Sequence, residues 1–251
     1  MSDEKNSYKL CSLLFKTGSD YEENLQLLLE AIEATQSKSL IVAPEVCLTA
    51  YDYANMQKML AFAPYAIKEI KARSLDKIII LTILEERNNK VYNFAKIFYN
   101  GEVVYERAKA KLFRFGDEHK YIEEGNVEDF KIVEVAGIKI AVFICFELRF
   151  KELWCKSEGA DVIAVPAWWG VLRTEHFKIF TQALALTNQC YVVASDSQNE
   201  ECTAQSGIVN PQGEAKRNGE RGCLSLAYKQ KEIDCMRRYM DVGIKFSSSM
   251  V

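Results

Sequence analysis

Residues 138–152 read IKIAVFICFELRFKE, and this stretch changes abruptly from apolar to charged side chains. Between Ile138 and Ile144 a single lysine interrupts an apolar run, which is the pattern of a strand buried on both faces. The run stops at Cys145, where a charged segment begins. Open α/β sheets place their reactive groups at the carboxyl ends of strands, so Cys145 is a candidate nucleophile. The alternative is a structural cysteine, because free cysteine is often buried in protein cores.

The composition is that of an ordinary globular protein. With 251 residues, 49% hydrophobic and 27% charged, the chain can form one large domain or two small ones. A net charge of −3 gives no electrostatic reason to expect nucleic acid or an anionic membrane as a partner. No apolar run approaches the roughly 18–20 residues of a membrane span, and residues 1–6 lack the apolar core of a signal peptide. We therefore expect a cytoplasmic protein with no membrane and no nucleic-acid partner.

The cysteine and histidine content indicates whether the protein is reduced and whether it could hold a zinc ion. The eight cysteines include no close C-x-x-C pair, and without a signal peptide they predict a reduced protein. His119 and His176 are the only histidines, which argues against a histidine-rich zinc site. A cysteine–histidine hydrolase remains open from this inventory, although histidine is scarce enough to look for another base. We assign neither histidine a catalytic role.

Strands and helices are predicted to alternate from the N-terminus onward. A strand at Tyr8–Phe15 precedes a helix that reaches about Ser37, with Ser19 and Glu22 spaced as a capping box. A second helix over residues 57–74 is predicted to be interrupted or restarted at Pro64.

Later in the chain, two hairpins are predicted. Asn100–Gly101 is a strong turn signal, and Ala136–Gly137 is predicted to join strands at 127–135 and 138–144. Helices recur between strands in both halves, which favours an α/β protein with sheets covered by helices. We expect one domain over residues 1–251, with a core at about 8–228 and a C-terminal helix and tail at 229–251.

Three reactive side chains each follow a predicted strand. Glu45 follows the apolar segment 40–43 and Pro44, Lys109 follows strand 102–107, and Cys145 ends the run at 138–144. Taken alone, Glu45 could be a solvated loop carboxylate. The lysines at 109 and 111 could be solvated side chains of an edge strand, where their charge prevents pairing with another chain. A polar loop at 114–126 follows the lysines, and loops of this length are often functional or disordered.

Three motifs around these residues match a known family. Residues 44–51, PEVCLTAY, are similar to P-E-x-x-L-T-G-Y; residues 109–113, KAKLF, to K-x-H-L-F; and residues 144–152, ICFELRFKE, to I-C-Y-D-L-R-F-P-E. Supporting matches are GAD at 159–161, ALTNQ at 185–189 and SGIVNPQG at 206–213, so the matches span nearly the whole chain. The sequence resembles the carbon–nitrogen hydrolase family, the nitrilase superfamily, in its amidase-like branch.

The resemblance implies a four-layer αββα sandwich that associates through helices into a homodimer or larger homo-oligomer. It implies Glu45 as the base, Lys109 as the cation and Cys145 as the nucleophile. Glu118 precedes Gly125 by seven residues, as a second glutamate of the family does. Asp117 and Glu123 lie close by, so the assignment of Glu118 is less firm.

This chain departs from the family pattern at three positions, none of which removes a catalytic group. Ala50 stands where glycine is usual, Lys111 where histidine is usual, and Lys151 where proline is usual. Lys111 makes it ambiguous which lysine enters the site. Counting back from Leu112–Phe113 selects Lys109.

The implied chemistry is cleavage of a small amide, ω-amide or N-carbamoyl compound through a thioester, with no metal or organic cofactor. The oxyanion is expected to bind Lys109 and the backbone N–H of Phe146. The expected pocket residues are Trp168, Trp169, Glu147, Arg149 and the loop at 114–126. Arg149 could pair with a substrate carboxylate, although a structural role is the alternative.

Other functions remain open from the sequence. The same fold could hydrolyse nitriles, serve as a non-catalytic binding module, or use Cys145 as a redox sensor. Retention of Glu45, Lys109 and Cys145 speaks against the binding module, and no residue specifically supports the sensor.

Overall fold

A computed structural model of the protein describes residues 7–218 and 222–244. Within these residues the strands are β1 Lys9–Leu14, β2 Ser39–Val42, β3 Lys77–Arg87, β4 Lys90–Tyr99, β5 Glu102–Ala108, β6 Val133–Val135, β7 Ile138–Val142, β8 Val162–Ala167, β9 Tyr191–Asp196, β10 Gly207–Val209, β11 Ala215–Arg217 and β12 Gly222–Ala227. The α-helices are α1 Tyr21–Glu33, α2 Met56–Arg73, α3 Lys151–Lys156, α4 Thr174–Asn188 and α5 Gln230–Tyr239.

The strands form two six-stranded mixed sheets. The first has the order β12-β1-β2-β3-β4-β5, and the second β11-β10-β9-β8-β7-β6. The β1, β2 and β3 strands are parallel neighbours in the first sheet, as are β7, β8 and β9 in the second. Parallel neighbours end at the same edge of a sheet, so each sheet brings together the segments that follow its strands.

The two sheets pack face to face through alternating side chains. On β3, Ile78 and Ile80 belong to the core shared with the second sheet, whereas Ile79 and Leu81 face the helices on the outside. Hydroxyl groups also cross the interface: Ser195 donates to the carbonyl of Leu13 at 2.5 Å. This alternation is what a strand covered on both faces requires.

Helices cover the outer faces. Leu25, Leu28 and Ile32 of α1 and Phe62 and Ala66 of α2 pack against the first sheet. Phe177 and Leu184 of α4 lie in the core with the second sheet. The four-layer αββα arrangement expected from the resemblance is confirmed.

Two predictions about the first helices were wrong in detail. Asp20 caps α1 by accepting from the Glu23 N–H at 3.1 Å, so the Ser19–Glu22 capping box does not form, and the helix ends at Glu33. The α2 helix continues through Pro64. Its apolar face stays packed on the sheet on both sides of Pro64, and such packing supplies most of the stability of a helix in a protein.

Both predicted hairpin turns are present. Asn100 and Gly101 have φ values of +48° and +83°, and Ala136 and Gly137 have +51° and +78°, as a type I′ turn requires. The predicted strand at 127–135 is shorter than expected: residues 127–129 form a 3₁₀ turn and only Val133–Val135 pairs with β7.

The predicted C-terminal helix is present as α5. It is fixed by Arg237, which is buried and donates to the carbonyl of Ala160 at 2.6 Å. The expected tail at 245–251 lies outside the described residues. Within residues 7–218 and 222–244, no helix is both long and apolar enough to span a bilayer.

Candidate active site

Cys145 lies just beyond β7, at a sharp change of backbone direction. The N–H of Phe143 still donates to the carbonyl of Ala164 on β8 at 2.8 Å, and a 3₁₀ helix begins at Cys145. Cys145 has a φ of +44°, in the left-handed region that non-glycine residues seldom adopt. Such local strain is concentrated at functional sites, and here it turns the chain directly after the strand.

Glu45 lies beyond β2 and joins the two sheets. Its N–H donates to the carbonyl of Ala167 at 3.1 Å, and its side chain is wholly buried. Carboxylate Oε1 accepts from Tyr51 Oη at 2.6 Å, from Asn93 Nδ2 at 2.9 Å and from Lys109 Nζ at 2.8 Å. The loop-carboxylate alternative is therefore excluded by its position.

Lys109 directly follows β5 and is also wholly buried. Its Nζ lies 2.8 Å from Glu45 Oε1 and 2.7 Å from Glu118 Oε1, so one ammonium bridges two carboxylates. Lys111 points elsewhere: its Nζ pairs with Glu152 at 2.5 Å, and its side chain is 24% exposed. Of the two lysines, Lys109 is therefore the one that lies in the buried cluster with Glu45 and Glu118.

Glu118 is the acidic residue of the polar loop that reaches the site. It is buried, and its Oε2 accepts from the N–H of Phe113 at 2.9 Å. Asp117 instead pairs with Lys120, and Glu123 with Lys90. Among the three acidic candidates of this loop, Glu118 alone joins the Lys109 cluster.

Trp168 connects the carboxylate of Glu45 with the thiol of Cys145. Its N–H donates to Glu45 Oε2 at 3.2 Å, and its carbonyl accepts from Cys145 Sγ at 3.5 Å. Both groups therefore lie against the same residue at the end of β8. Because Oε1 already accepts three hydrogen bonds, Oε2 is the oxygen better placed to receive a proton.

Burial and charge set the protonation states of the cluster. Burial raises the pKa of Cys145, as does the charge of Glu45, and Lys109 only partly offsets them. Burial also raises the pKa of Glu45, against the opposing charge of Lys109. Burial alone would lower the pKa of Lys109, but Glu45 and Glu118 raise it, so the ammonium stays protonated. The resting thiol is neutral and needs a base to become nucleophilic.

A cavity of about 400 Å³ opens onto Cys145, a size typical of small-molecule sites. It is lined by Tyr51, Tyr53, Phe113, Gly116, Glu118, Cys145, Trp168, Gly170, Val171, Leu172, Arg173 and Glu201. A small extension beside Cys145 is lined by Phe113, Phe146, Arg149, Trp168, Trp169, Gly170 and Arg173. Of the expected pocket residues, Trp168, Trp169, Phe146 and Arg149 thus border the space next to the thiol.

Glu147 does not line the cavity, which corrects the expectation that it contacts substrate. It is fully buried and forms an ion pair with buried Arg107, whose Nη1 lies 2.8 Å from Glu147 Oε1. The N–H groups of Ala110 and Ile144 also donate to its carboxylate, each at 2.7 Å. Glu147 therefore ties the segment that carries Lys109 to the strand end that carries Cys145.

The two histidines take no part in this cluster. His119 is exposed on the loop beside Glu118. His176 is exposed on α4, and its Nδ1 lies 3.1 Å from Arg149 Nη2. Within residues 7–218 and 222–244 there is no group of three or more His, Cys, Asp or Glu side chains suited to a metal ion.

Several residues at the site were not assigned from the sequence. Asn93 and Arg107 lie within strands, where no local pattern marks them as part of a site. Asp196, at the end of β9, accepts from the N–H of Trp169 at 2.8 Å and from Thr203 Oγ1 at 2.6 Å. Burial raises the pKa of Asp196 to about 7. Its hydrogen bonds fasten the segment that carries both tryptophans.

Comparison with known proteins gives a consistent result. A family model described as carbon–nitrogen hydrolase matches residues 11–226. A 2-oxoglutaramate amidase of Bacillus subtilis is 30% identical over 194 residues, covering 72% of this chain and 74% of the relative. An omega-amidase of Escherichia coli is 27% identical over 229 residues, covering 88% of both chains. The crystal structure of Saccharomyces cerevisiae Nit3, of the nitrilase superfamily, has a TM-score of 0.82 at 21% identity, covering 94% of this chain and 95% of that one.

The contrast between Lys109 and Lys111 gives a direct test of the cluster. The resemblance implies amide hydrolysis, and Lys109→Ala should lower its rate by about 10²–10⁴-fold, which in practice abolishes activity. The reason is that the cluster loses its fixed cation. Lys111→Ala removes only a partly exposed ion pair and should alter the rate modestly. Turnover of both variants measures the difference, and the reverse ranking would show that the wrong lysine was chosen.

Lys109→Ala leaves two carboxylates buried without their cation, which can unfold the protein. Lys109→Met removes the same charge but leaves no cavity, so it is measured in parallel, and circular dichroism checks that each variant is folded. A folded Lys109→Met variant with wild-type turnover contradicts the assignment.

Proposed function

The chain belongs to the carbon–nitrogen hydrolase family, and we propose that it is an amidase that forms a thioester on Cys145. The observation that carries this proposal is the position of Trp168, whose N–H and carbonyl contact Glu45 and Cys145 respectively. A base and a thiol held by one residue, beside a buried cation, are the parts that covalent hydrolysis of an amide needs.

In the first step, the carbonyl carbon of the substrate lies against Cys145 Sγ in the cavity. Glu45 takes the thiol proton as sulfur attacks the carbon. The negative charge that develops on the substrate oxygen is stabilised by Lys109 and by the N–H of Phe146, in the first turn of the 3₁₀ helix. Glu45 then gives its proton to the departing nitrogen, and ammonia leaves.

In the second step, a water molecule takes the place of ammonia. Glu45 accepts a proton from this water as its oxygen attacks the thioester, and the same oxyanion contacts operate again. The C–S bond breaks, the carboxylic acid product leaves, and the thiol regains its proton. Glu118 holds Lys109 in position throughout, through the 2.7 Å contact with its Nζ.

An ω-amide is the substrate class best supported by the relatives, which are named as a 2-oxoglutaramate amidase and an omega-amidase. Nitrile hydrolysis is not favoured, because those relatives are amidases. A small acyl group fits the cavity of about 400 Å³. N-carbamoyl compounds remain part of the substrate panel that tests the proposal.

We also propose that the protein forms a homodimer or a larger homo-oligomer. Leu172, Ile179 and Leu186 are spaced by seven residues along α4 and the turn before it, and they are 92%, 60% and 46% exposed. Exposed apolar side chains grouped along one helix and the turn before it are typical of a protein interface. A monomer in sedimentation velocity at micromolar concentration would contradict this assembly.

We propose a reducing compartment, the cytoplasm, as the site of action. All eight cysteines are free thiols, including the exposed Cys155, Cys223 and Cys235. Disulfides are rare in proteins of reducing compartments. Cell fractionation tests this, and enrichment in an oxidising fraction contradicts it.

Removal of the thiol tests the proposed reaction. Cys145→Ala and Cys145→Ser should both fold, because each leaves a smaller side chain in a place that borders a cavity. Neither should release ammonia from any amide, N-carbamoyl compound or nitrile that the wild type hydrolyses. Ammonia assays across that panel measure this, with circular dichroism as the folding control. Wild-type turnover by Cys145→Ala would falsify the mechanism.

The pH dependence of turnover tests the role of Glu45. Its pKa is raised, so kcat/KM should fall as pH drops through a value above that of an ordinary glutamate. The hydroxyl of Tyr51 favours the ionised form of Glu45 by donating to it. Tyr51→Phe should therefore raise this pKa and move the acid limb of the profile to higher pH.

The exposed Tyr65 supplies the matched control, Tyr65→Phe, because the Tyr65 hydroxyl is not among the donors to Glu45. Its pH profile should match the wild type. An acid limb that stays in place in Tyr51→Phe, or moves to lower pH, contradicts the role of Glu45.

A further inference from the structure

The peptide group between Trp168 and Trp169 lies between the thiol of Cys145 and a second buried carboxylate. Its carbonyl accepts from Cys145 Sγ at 3.5 Å, and its N–H donates to Asp196 Oδ1 at 2.8 Å. Within residues 7–218 and 222–244 every peptide bond is trans, so the carbonyl and the N–H of this group point in opposite directions. A rotation that breaks the bond to Asp196 therefore also moves the carbonyl that contacts the thiol.

The other carboxylate oxygen of Asp196 binds a separate segment of the chain. Its Oδ2 accepts from the N–H of Thr203 at 3.0 Å and from Thr203 Oγ1 at 2.6 Å. The N–H of Ser197 also hydrogen-bonds to the carboxylate. Both oxygens thus face donors, which an ionised carboxylate satisfies fully, since it only accepts.

These hydrogen bonds fix a short ribbon in the cavity wall, formed by residues 169–171 and 201–203. The two segments pair in antiparallel fashion, and the N–H of Val171 donates to the carbonyl of Glu201 at 2.8 Å. Val171 and Glu201 both line the cavity. Because Asp196 binds one residue in each segment, a single carboxylate positions this part of the wall and the peptide beside the thiol.

The charge of Asp196 is held by neutral groups. Its side chain is wholly buried, and across the described residues it makes no ion pair with a lysine, arginine or histidine. The ribbon presents the thiol of Cys202, whose pKa is raised by burial and then by the charge of Asp196, so this thiol stays neutral. The charges of Glu201 and Glu45 act on the same thiol. Next to β10, the hydroxyl of Ser206 donates to the backbone carbonyl of Asp196 at 2.9 Å.

Asp196 can therefore change its protonation state near neutral pH. Burial raises its pKa to about 7, although the donors from Thr203 and Trp169 favour the ionised form. A proton taken up as the pH falls through this value removes the charge from the hydrogen bond to the Trp169 N–H. Hydrogen bonds to an ionised group are roughly twice as strong as neutral ones, so the peptide is then held less firmly.

We propose that ionised Asp196 is a positioning residue, which fixes the peptide between Trp168 and Trp169 in the orientation that proton transfer from thiol to base requires. The N–H of Trp168 donates to Glu45 Oε2 at 3.2 Å, so the residue held by Asp196 also sets the position of the base relative to the thiol. The expected effect on turnover rests on the proposed function, whereas the expected effect on the reactivity of Cys145 does not.

The first test is the pH dependence of kcat in Asp196→Asn. Asparagine keeps the shape and can still accept from the Trp169 N–H, but it carries no charge at any pH. Well above neutral pH, kcat should be about tenfold lower than in the wild type, because a charge-assisted hydrogen bond becomes a neutral one. KM should change little, since Asp196 does not line the cavity.

The ratio of wild-type to Asp196→Asn kcat should shrink towards one as the pH falls through about 7, because the wild-type carboxyl then becomes neutral too. The ionisation of Glu45 is common to both proteins and cancels in this ratio. A purely structural role for Asp196 gives a ratio that does not vary with pH, and that result, or a ratio of one throughout, overturns the inference.

Two further variants place the change in pH on Asp196 itself. The Thr203 hydroxyl favours the ionised carboxylate, so Thr203→Val should raise the pKa of Asp196 and move the fall in kcat to higher pH, with recovery in more alkaline solution. Asp76→Asn makes the same carboxylate-to-amide change at an exposed site between α2 and β3, and its profile should match the wild type. A fall in kcat at the wild-type pH in Thr203→Val contradicts the inference.

Alkylation of Cys145 by iodoacetamide separates this inference from the proposed function, because it needs no substrate. The thiolate is the reactive form, so poorer proton transfer to Glu45 should slow alkylation of Cys145 about tenfold in Asp196→Asn above neutral pH. Peptide mapping follows Cys145 separately from the other free thiols, and the exposed Cys155 should react equally in both proteins. Equal rates at Cys145 overturn the inference. Absence of ammonia release by the wild type contradicts the proposed function alone, and the alkylation rates still decide the role of Asp196.

Discussion

The ammonium of Lys109, buried between two carboxylates, is the interaction on which the rest of the site depends. Its Nζ lies within 2.8 Å of both Glu45 and Glu118, and all three side chains are buried. Charges removed from water are stable only when they are paired and hydrogen-bonded. Each of the three must therefore come from a segment whose position is fixed by the fold. Burial raises the pKa of the neighbouring Cys145 thiol, and the charge of Glu45 raises it further, which Lys109 only partly offsets.

The fold meets this requirement by bringing the ends of both sheets to one place. Glu45 and Lys109 follow strands of the first sheet, and Cys145 follows a strand of the second. The buried pair of Arg107 and Glu147 links the Lys109 segment to the Cys145 segment. Trp168 then joins the Glu45 carboxylate to the Cys145 thiol, so a displacement of either sheet would change the position of these two groups relative to each other.

The sequence predicted the reactive residues better than it predicted the side chains that hold them. Apolar runs mark buried strands, so Glu45, Lys109 and Cys145 could be placed at strand ends, and the motif resemblance added Glu118. Glu147 was misplaced because it follows Cys145 by only two residues, and only the 3₁₀ helix shows that its carboxylate faces Arg107 rather than the cavity. Arg173, which lines the cavity, ends a three-residue 3₁₀ turn after β8, and so short a turn has no periodicity that shows which way a side chain points. Asp20, rather than Ser19, caps the first helix. Both residue types are good caps, and the backbone conformation at the start of the helix decides which of the two serves.

The measurement that tests the central claim most directly is the intact mass of the protein during turnover. Rapid acid quenching of enzyme mixed with an ω-amide, followed by peptide mapping, shows where any acyl group is attached. The account predicts an acyl group on Cys145, bound as a thioester that hydroxylamine releases. Turnover of the amide without any adduct on Cys145, or with the acyl group on another residue, would contradict it.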